Sequence, residues 1–179
     1  MSKTIIGFTG PISSGKTTAA KYLAEKFNGK IYGFSGPLRD ILNRLYLPLE
    51  RANMAKLSET IREAFGSDLI SKTIAADIAN DPCDFIILEG LRRVPDLQTM
   101  KSLPGFRLLS VNADSKLRWE RMTKRGQNAD DATKTYEVFL TDEQAEADRD
   151  IPVVMSMAEA TLDNNGSLED LYNQLDKLF

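Results

Sequence analysis

At 179 residues with a formal charge of −3, no histidine and one cysteine, the chain excludes several chemistries before any motif is read. The missing histidine removes serine–histidine triads, histidine metal sites and imidazole acid–base catalysis; lone Cys83 excludes an intramolecular disulfide framework and a multi-thiolate metal site, which fits a reducing compartment. The acidic balance argues against a nucleic-acid partner, which needs a broad basic face, and 42% hydrophobic with 27% charged residues is the composition of one globular domain with a core of its own.

The first elements follow closely on one another. Thr4 to Thr9 is a short apolar, β-rich run ending at Gly10, and helical spacing takes over from Gly15 to Phe27. No basic n-region with a long apolar core precedes this run and no stretch reaches a membrane span, so a cytoplasmic protein without a membrane partner is expected. A second strand is predicted at Lys30 to Phe34 after the Asn28-Gly29 turn, then a helix from Leu38 to Leu45 with Pro37 suited to its first turn. Arg51 to Ala79 is helix-forming, with Gly66-Ser67-Asp68 as a break and N-cap between two helices. The continuous apolar run Phe85 to Leu88 suits a central strand buried on both faces. Phe106 to Val111 gives a fourth strand, Ser115 to Arg125 a charged helix, and Ala160 to Leu162 a fifth strand closed by Asn164-Asn165-Gly166. A last helix opens on Ser167-Leu168-Glu169-Asp170, which resembles a capping box, with Leu168, Leu171, Leu175 and Leu178 as its apolar stripe. Alternating strands and helices predict a parallel, doubly wound α/β sheet with ligands at the carboxyl ends of its strands.

Gly10-Pro11-Ile12-Ser13-Ser14-Gly15-Lys16-Thr17 matches the phosphate-loop pattern G-x-x-x-x-G-K-[ST] in full, between the first strand and the first helix, where that pattern has its mechanism. Gly10 and Gly15 permit backbone torsions closed to other residues, so consecutive N–H groups around Ser13 and Ser14 turn inward onto phosphate oxygens. The helix N-terminus adds positive potential. Lys16 is expected to bridge the β- and γ-phosphates of ATP and the Thr17 hydroxyl to coordinate Mg²⁺; Thr18 completes the cofactor-binding set without a catalytic assignment.

Glu89 directly follows the central run, which sets its carboxylate at the sheet edge beside the phosphate loop. It is expected to hold Mg²⁺ through water or to orient the acceptor phosphate, the alternative being a solvated strand-end carboxylate. Arg92 and Arg93 come next, and a guanidinium there suits bidentate recognition of a second phosphate, with a water-facing basic loop as the alternative. Arg39, on the helix after the second strand, is a further candidate of the same kind. Arg118, Arg121 and Arg125 fall on one helical face, where like charges repel by a few tenths of a kcal/mol per pair. An anion such as polyphosphate relieves that repulsion, with Arg121 and Arg125 as lid arginines, or else the face is simply solvated. Residues 126 to 150 are polar and acidic, suiting either a short closing lid that excludes water or a static surface helix with a loop.

These residues together resemble the nucleoside monophosphate kinase and dephospho-CoA kinase branch of P-loop proteins, most widely its adenylate-kinase-like predicted nucleotide kinases. The likeness rests on Gly10 to Thr17, LSETIREAFGSDLI at Leu57 to Ile70, IILEGLRR at Ile86 to Arg93, LRWERMTKRG at Leu117 to Gly126 and DNNGSL at Asp163 to Leu168. It implies a three-layer α/β/α fold with a five-stranded parallel sheet in the order 2-3-1-4-5, an acceptor-binding helical region at about 36–80 and a lid at about 126–150. By the same likeness Lys16, Glu89, Arg121 and Arg125 are catalytic, Arg121 also contacts the ATP, and Arg93 holds the acceptor. Glu89 stands where Asp is usual, Arg92 where Pro is usual, and Leu140-Thr141-Asp142 lacks an arginine usual in the lid. The function implied is phosphoryl transfer from ATP to a nucleoside or deoxynucleoside monophosphate, by a monomer or homodimer. Dephospho-CoA kinase and a P-loop regulatory ATPase without a small-molecule acceptor are the alternatives. A GTPase is disfavoured, since Asn112-Ala113-Asp114 lacks the lysine and spacing of a guanine reader.

Overall fold

A computed structural model describes residues 3–125, 131–143 and 149–179. The chain runs β1 (Thr4–Thr9), α1 (Lys16–Phe27), β2 (Lys30–Gly33), α2 (Gly36–Arg44), α3 (Arg51–Phe65), α4 (Leu69–Asn80), β3 (Phe85–Glu89), α5 (Val94–Lys101), β4 (Phe106–Asn112) and α6 (Ser115–Arg125). A 3₁₀ turn at Asp131–Thr133 leads to α7 (Tyr136–Asp142), and α8 (Ile151–Ser156), β5 (Ala160–Asp163) and α9 (Leu168–Asp176) complete it. Parts of the expected lid, 126–130 and 144–148, lie outside the described residues.

The five strands form one parallel sheet in the order β2-β3-β1-β4-β5, the arrangement the resemblance implies. Period-two alternation divides the strand side chains between two cores. Ile5, Ile86, Leu88 and Leu108 meet α2, α4, α5 and α8 through Leu38, Ile74, Leu97 and Val154. On the other face Ile6, Phe8, Ile87 and Leu109 meet α1 and α9 through Leu23, Leu171 and Leu175. Ile86, Ile87 and Leu88 are fully buried because helices cover both faces, so the unbroken apolar run is indeed a central strand. No described helix is long and apolar enough to cross a membrane.

Local signals account for most boundaries. α1 ends on Asn28 in the left-handed region (φ 50°), whose N–H returns to Ala24 O. α9 opens on a full capping box: the Ser167 hydroxyl accepts from Asp170 N while the Asp170 carboxylate accepts from Ser167 N. Three expectations need correction. Asp68 precedes α4 but its side chain caps nothing, being paired with Lys72 one turn on. Leu168 lies outside the apolar stripe and is exposed, while Leu171 and Leu175 are buried in the core that α1 lines and Leu178 packs against it. The segment after Arg93, assigned no element by periodicity, is helix α5, with Pro95 in its first turn and Leu97 and Met100 buried.

Candidate functional site

Register aligns the carboxyl ends of the strands: Phe8 pairs with Glu89, Thr9 with Ser110, Gly33 with Glu89 and Asn112 with Asp163. The glycine-rich loop leaves β1 at the centre of that edge and feeds α1. Two glycines are forced there by space as well as by torsion. Gly10 has φ 138°, and a Cβ on it would lie 2.2 Å from Val111 O of β4; Gly15 has φ 108°, and its Cβ would lie 2.1 Å from Asn164 Nδ2. Ser13 also adopts a left-handed torsion, φ 57°. Such strain at a non-glycine residue persists only where surroundings hold it and is concentrated at ligand sites.

The loop carries unused hydrogen-bonding capacity. Lys16 Nζ crosses it and donates to Gly10 O (2.8 Å) and Pro11 O (2.7 Å). The Ser13 and Ser14 hydroxyls are buried without a hydrogen-bond partner, a costly arrangement for a ligand-free loop. A polyphosphate supplies the oxygens that these two hydroxyls lack, so an ATP-type ligand fits the cradle. Thr17 Oγ1 donates to Glu89 Oε2 (3.3 Å), while Glu89 Oε1 is buried and unpartnered. Burial pushes the Glu89 carboxyl above its ordinary range, against the Thr17 hydrogen bond and the charges of Lys16 and Lys21. A hydroxyl beside an under-satisfied carboxylate fits the protein side of a Mg²⁺ site. Among the described residues no group of three or more acidic or thiolate side chains could hold a metal, so remaining ligands would come from phosphate and water.

The three helix arginines do not form the repelling face that their spacing suggests. Arg118 is buried and neutralised by Glu143 of the segment following α7. Arg121 turns to the β5 edge, where NH2 donates to Asn164 O (2.9 Å) and NH1 is buried without a partner; burial draws its pKa below the ordinary guanidinium value. Arg125 is exposed at the end of α6. Gly10, Ser13, Ser14, Gly15, Lys16, Thr17, Glu89 and Arg121 thus gather around one edge, with Thr18 half-buried on the same first turn of α1. Arg92 and Arg93 follow β3 on that edge, half-buried, and Arg39 is exposed in the first turns of α2. Asp150 ties α8 to this side by accepting from Val94 N (3.3 Å).

Asn164 was legible only as a turn. It is buried, its Nδ2 donates to Ser14 O (2.7 Å), and its backbone N–H donates to Asn112 O. One amide therefore supports the phosphate loop from β5, 150 residues away. The Arg118–Glu143 pair was likewise unforeseen, because no local pattern marks a partner across a loop.

A parallel sheet in this order, with a glycine-rich loop joining its central strand to the first helix, defines the P-loop kinase fold. The family model described as AAA domain, AAA_18, matches residues 6–149, and the chain belongs to that family. Its relatives include a UPF0200 protein of Methanococcus maripaludis, 26% identical over 178 residues, 98% of this chain and 95% of that one. Another UPF0200 protein, from Methanocaldococcus jannaschii, is 28% identical over 176 residues, 97% of this chain and 88% of that one. Among solved structures, TT1252 from Thermus thermophilus aligns with a TM-score of 0.65 at 22% identity, over 99% of this chain and 97% of that one. Shikimate kinase from Bacteroides thetaiotaomicron aligns at 0.63 and 16%, over 98% and 97%. At these identities the structures share the fold alone.

Proposed function

We propose that the chain is an ATP-dependent phosphotransferase whose acceptor is a nucleoside or deoxynucleoside monophosphate. The observation that carries this reading is the phosphate loop itself: Lys16 spans carbonyls of its own loop beside two buried hydroxyls without partners. Gly10, Ser13, Ser14, Gly15, Lys16, Thr17 and Thr18 hold the triphosphate, and Lys16 moves from the carbonyls of Gly10 and Pro11 onto its β- and γ-oxygens. Thr17 and Glu89 hold Mg²⁺, which when bound shares the charge on the transferring group. Arg121 keeps one buried N–H for the nucleotide, and Arg125 completes the lid side. The helices of about 36–80 embrace the acceptor.

Arg39, Arg92 and Arg93 bind the acceptor phosphate, their guanidinium forks suiting bidentate recognition of its oxygens. The protein works by positioning and charge neutralisation, with no covalent intermediate. It acts in the cytoplasm as a monomer or homodimer without nucleic-acid or membrane partners, as its acidic charge and single cysteine suggest.

The test is ADP release across a panel of nucleoside monophosphates, deoxynucleotides and dephospho-CoA, repeated with Lys16→Ala. The expected result is acceptor-dependent release with monophosphates, falling on the order of 10²- to 10³-fold in the variant. Phosphate release indifferent to every acceptor would instead indicate a regulatory ATPase. Undiminished transfer by a folded Lys16→Ala protein would end the proposal.

A further inference from the structure

Arg118 is 6% exposed, yet it joins three separate parts of the chain. Its Nε donates to Ala113 O at the end of β4 (2.8 Å), and NH1 donates to Ile12 O of the phosphate loop (3.3 Å). NH1 and NH2 together grip the two carboxylate oxygens of Glu143, directly after α7, the NH2 bond being 3.2 Å. Phe139 of α7 lies against the same guanidinium, 5.5 Å from its ring centre. With Nε and both terminal nitrogens engaged, this arginine has little left to offer a phosphate, unlike Arg121 with its unpartnered NH1.

Glu143 also lines a pocket with Pro11 and Ile12 of the loop and Ile151 and Pro152 of α8. The leading edge of the phosphate loop therefore faces open space on this side, and the guanidinium bridge is what registers α7 against it. We propose that Arg118 and Glu143 are a positioning pair that fixes the Ile12 end of the phosphate loop and the end of α7 to each other, so that the terminal phosphate meets a preset wall. This rests on the kinase reading for its catalytic consequence, but not for its structural one. A fork of this shape is specific to arginine: lysine keeps the charge and loses the simultaneous grip on two carbonyls and a carboxylate.

The experiment uses the full chain with Glu143→Gln, Arg118→Lys and the double variant, each checked for folding by circular dichroism. Two readouts are taken. The first is transfer kinetics with Mg-ATP, where kcat is expected to fall about 10- to 100-fold while nucleotide Kd stays within about threefold, since the cradle around Lys16 is intact and only alignment is lost. The second is acrylamide quenching of Trp119, the only tryptophan, which neighbours Arg118 on α6 and donates Nε1–H to Lys134 O just before α7 (2.8 Å). Quenching is expected to rise in all three variants without nucleotide. Because the two residues act as a unit, the double variant should be no slower than the worse single. Unchanged quenching and kcat in a folded Glu143→Gln or Arg118→Lys protein, or losses that multiply in the double variant, would overturn the pair. Failure of the kinase reading looks different: the unsubstituted chain transfers to no acceptor, while the quenching change persists.

Discussion

Glu89 holds a charge where its surroundings disfavour one. Burial raises its folded pKa above the unfolded value, so its contribution to stability is fully present below about pH 4 and declines as pH rises through the folded pKa. Replacing it with glutamine removes the buried charge and keeps an acceptor for Thr17. Glu89→Gln should therefore melt above the natural chain at pH 7, the gap closing as pH falls toward 4, while Mg-dependent transfer drops on the order of 10²-fold or more. Calorimetry at several pH values and a Mg²⁺ titration of activity check both halves; a variant that melts lower at pH 7 sinks the electrostatic account. Glu89 was readable in the sequence because its position depends only on the strand just before it. Asn164 was not, since its role depends on Ser14 and Arg121, both far along the chain and reached only after the sheet closes.

At the scale of elements, the amino edge of the sheet is tied by one carboxylate. Asp81, between α4 and β3, accepts from Lys30 and Tyr32 of β2 and from Cys83 N, while Lys3 bonds the carbonyls of Asp81 and Cys83. The Lys30 hydrogen bond, then those from Tyr32 and Cys83, hold the Asp81 carboxyl far below its ordinary value. A depressed acid contributes stability above its unfolded pKa, about 3.9, and loses it as pH falls toward the folded pKa. Asp81→Asn should accordingly lower the melting temperature at pH 7 and flatten its decline below about pH 5; an equally steep decline in the variant would assign acid sensitivity elsewhere. Element boundaries were legible wherever capping or turn chemistry is local, as at Asn28, Pro37 and Ser167. They failed at α5, where Arg92 and Arg93 offered only a phosphate clamp or a basic loop and the buried face is Leu97 and Met100 with the charged Asp96. The polar composition of 126–150 left a lid and a surface helix as alternatives without placing either; the described part holds α7, whose anchor is the single buried Phe139.

In the whole molecule, the two cores lie back to back across one sheet, and the proposed site sits on the edge common to both. Arginine–carboxylate pairs extend that coupling: Arg62 pairs bidentately with Asp96, joining α3 to α5, as Arg118 joins α6 to the end of α7. A ligand held by the phosphate loop therefore engages β1, α1, the β5 edge through Asn164 and Arg121, and β3 through Glu89, so its binding free energy should appear in global unfolding. At about 100 times its dissociation constant a ligand stabilises the native state by roughly 2.7 kcal/mol. For a domain of this size each kcal/mol is worth about 2–4 °C, so Mg-ATP or a non-hydrolysable analogue should raise the melting temperature by roughly 5–11 °C. Adenosine, lacking the phosphates that satisfy the Ser13 and Ser14 hydroxyls, should shift it far less at the same concentration. A monophosphate acceptor should add a further shift together with the analogue, because its clamp is completed next to the bound triphosphate. Equal shifts from adenosine and Mg-ATP in a melting screen would contradict a phosphate-centred site and, with it, the reading of the loop as the anchor of the molecule.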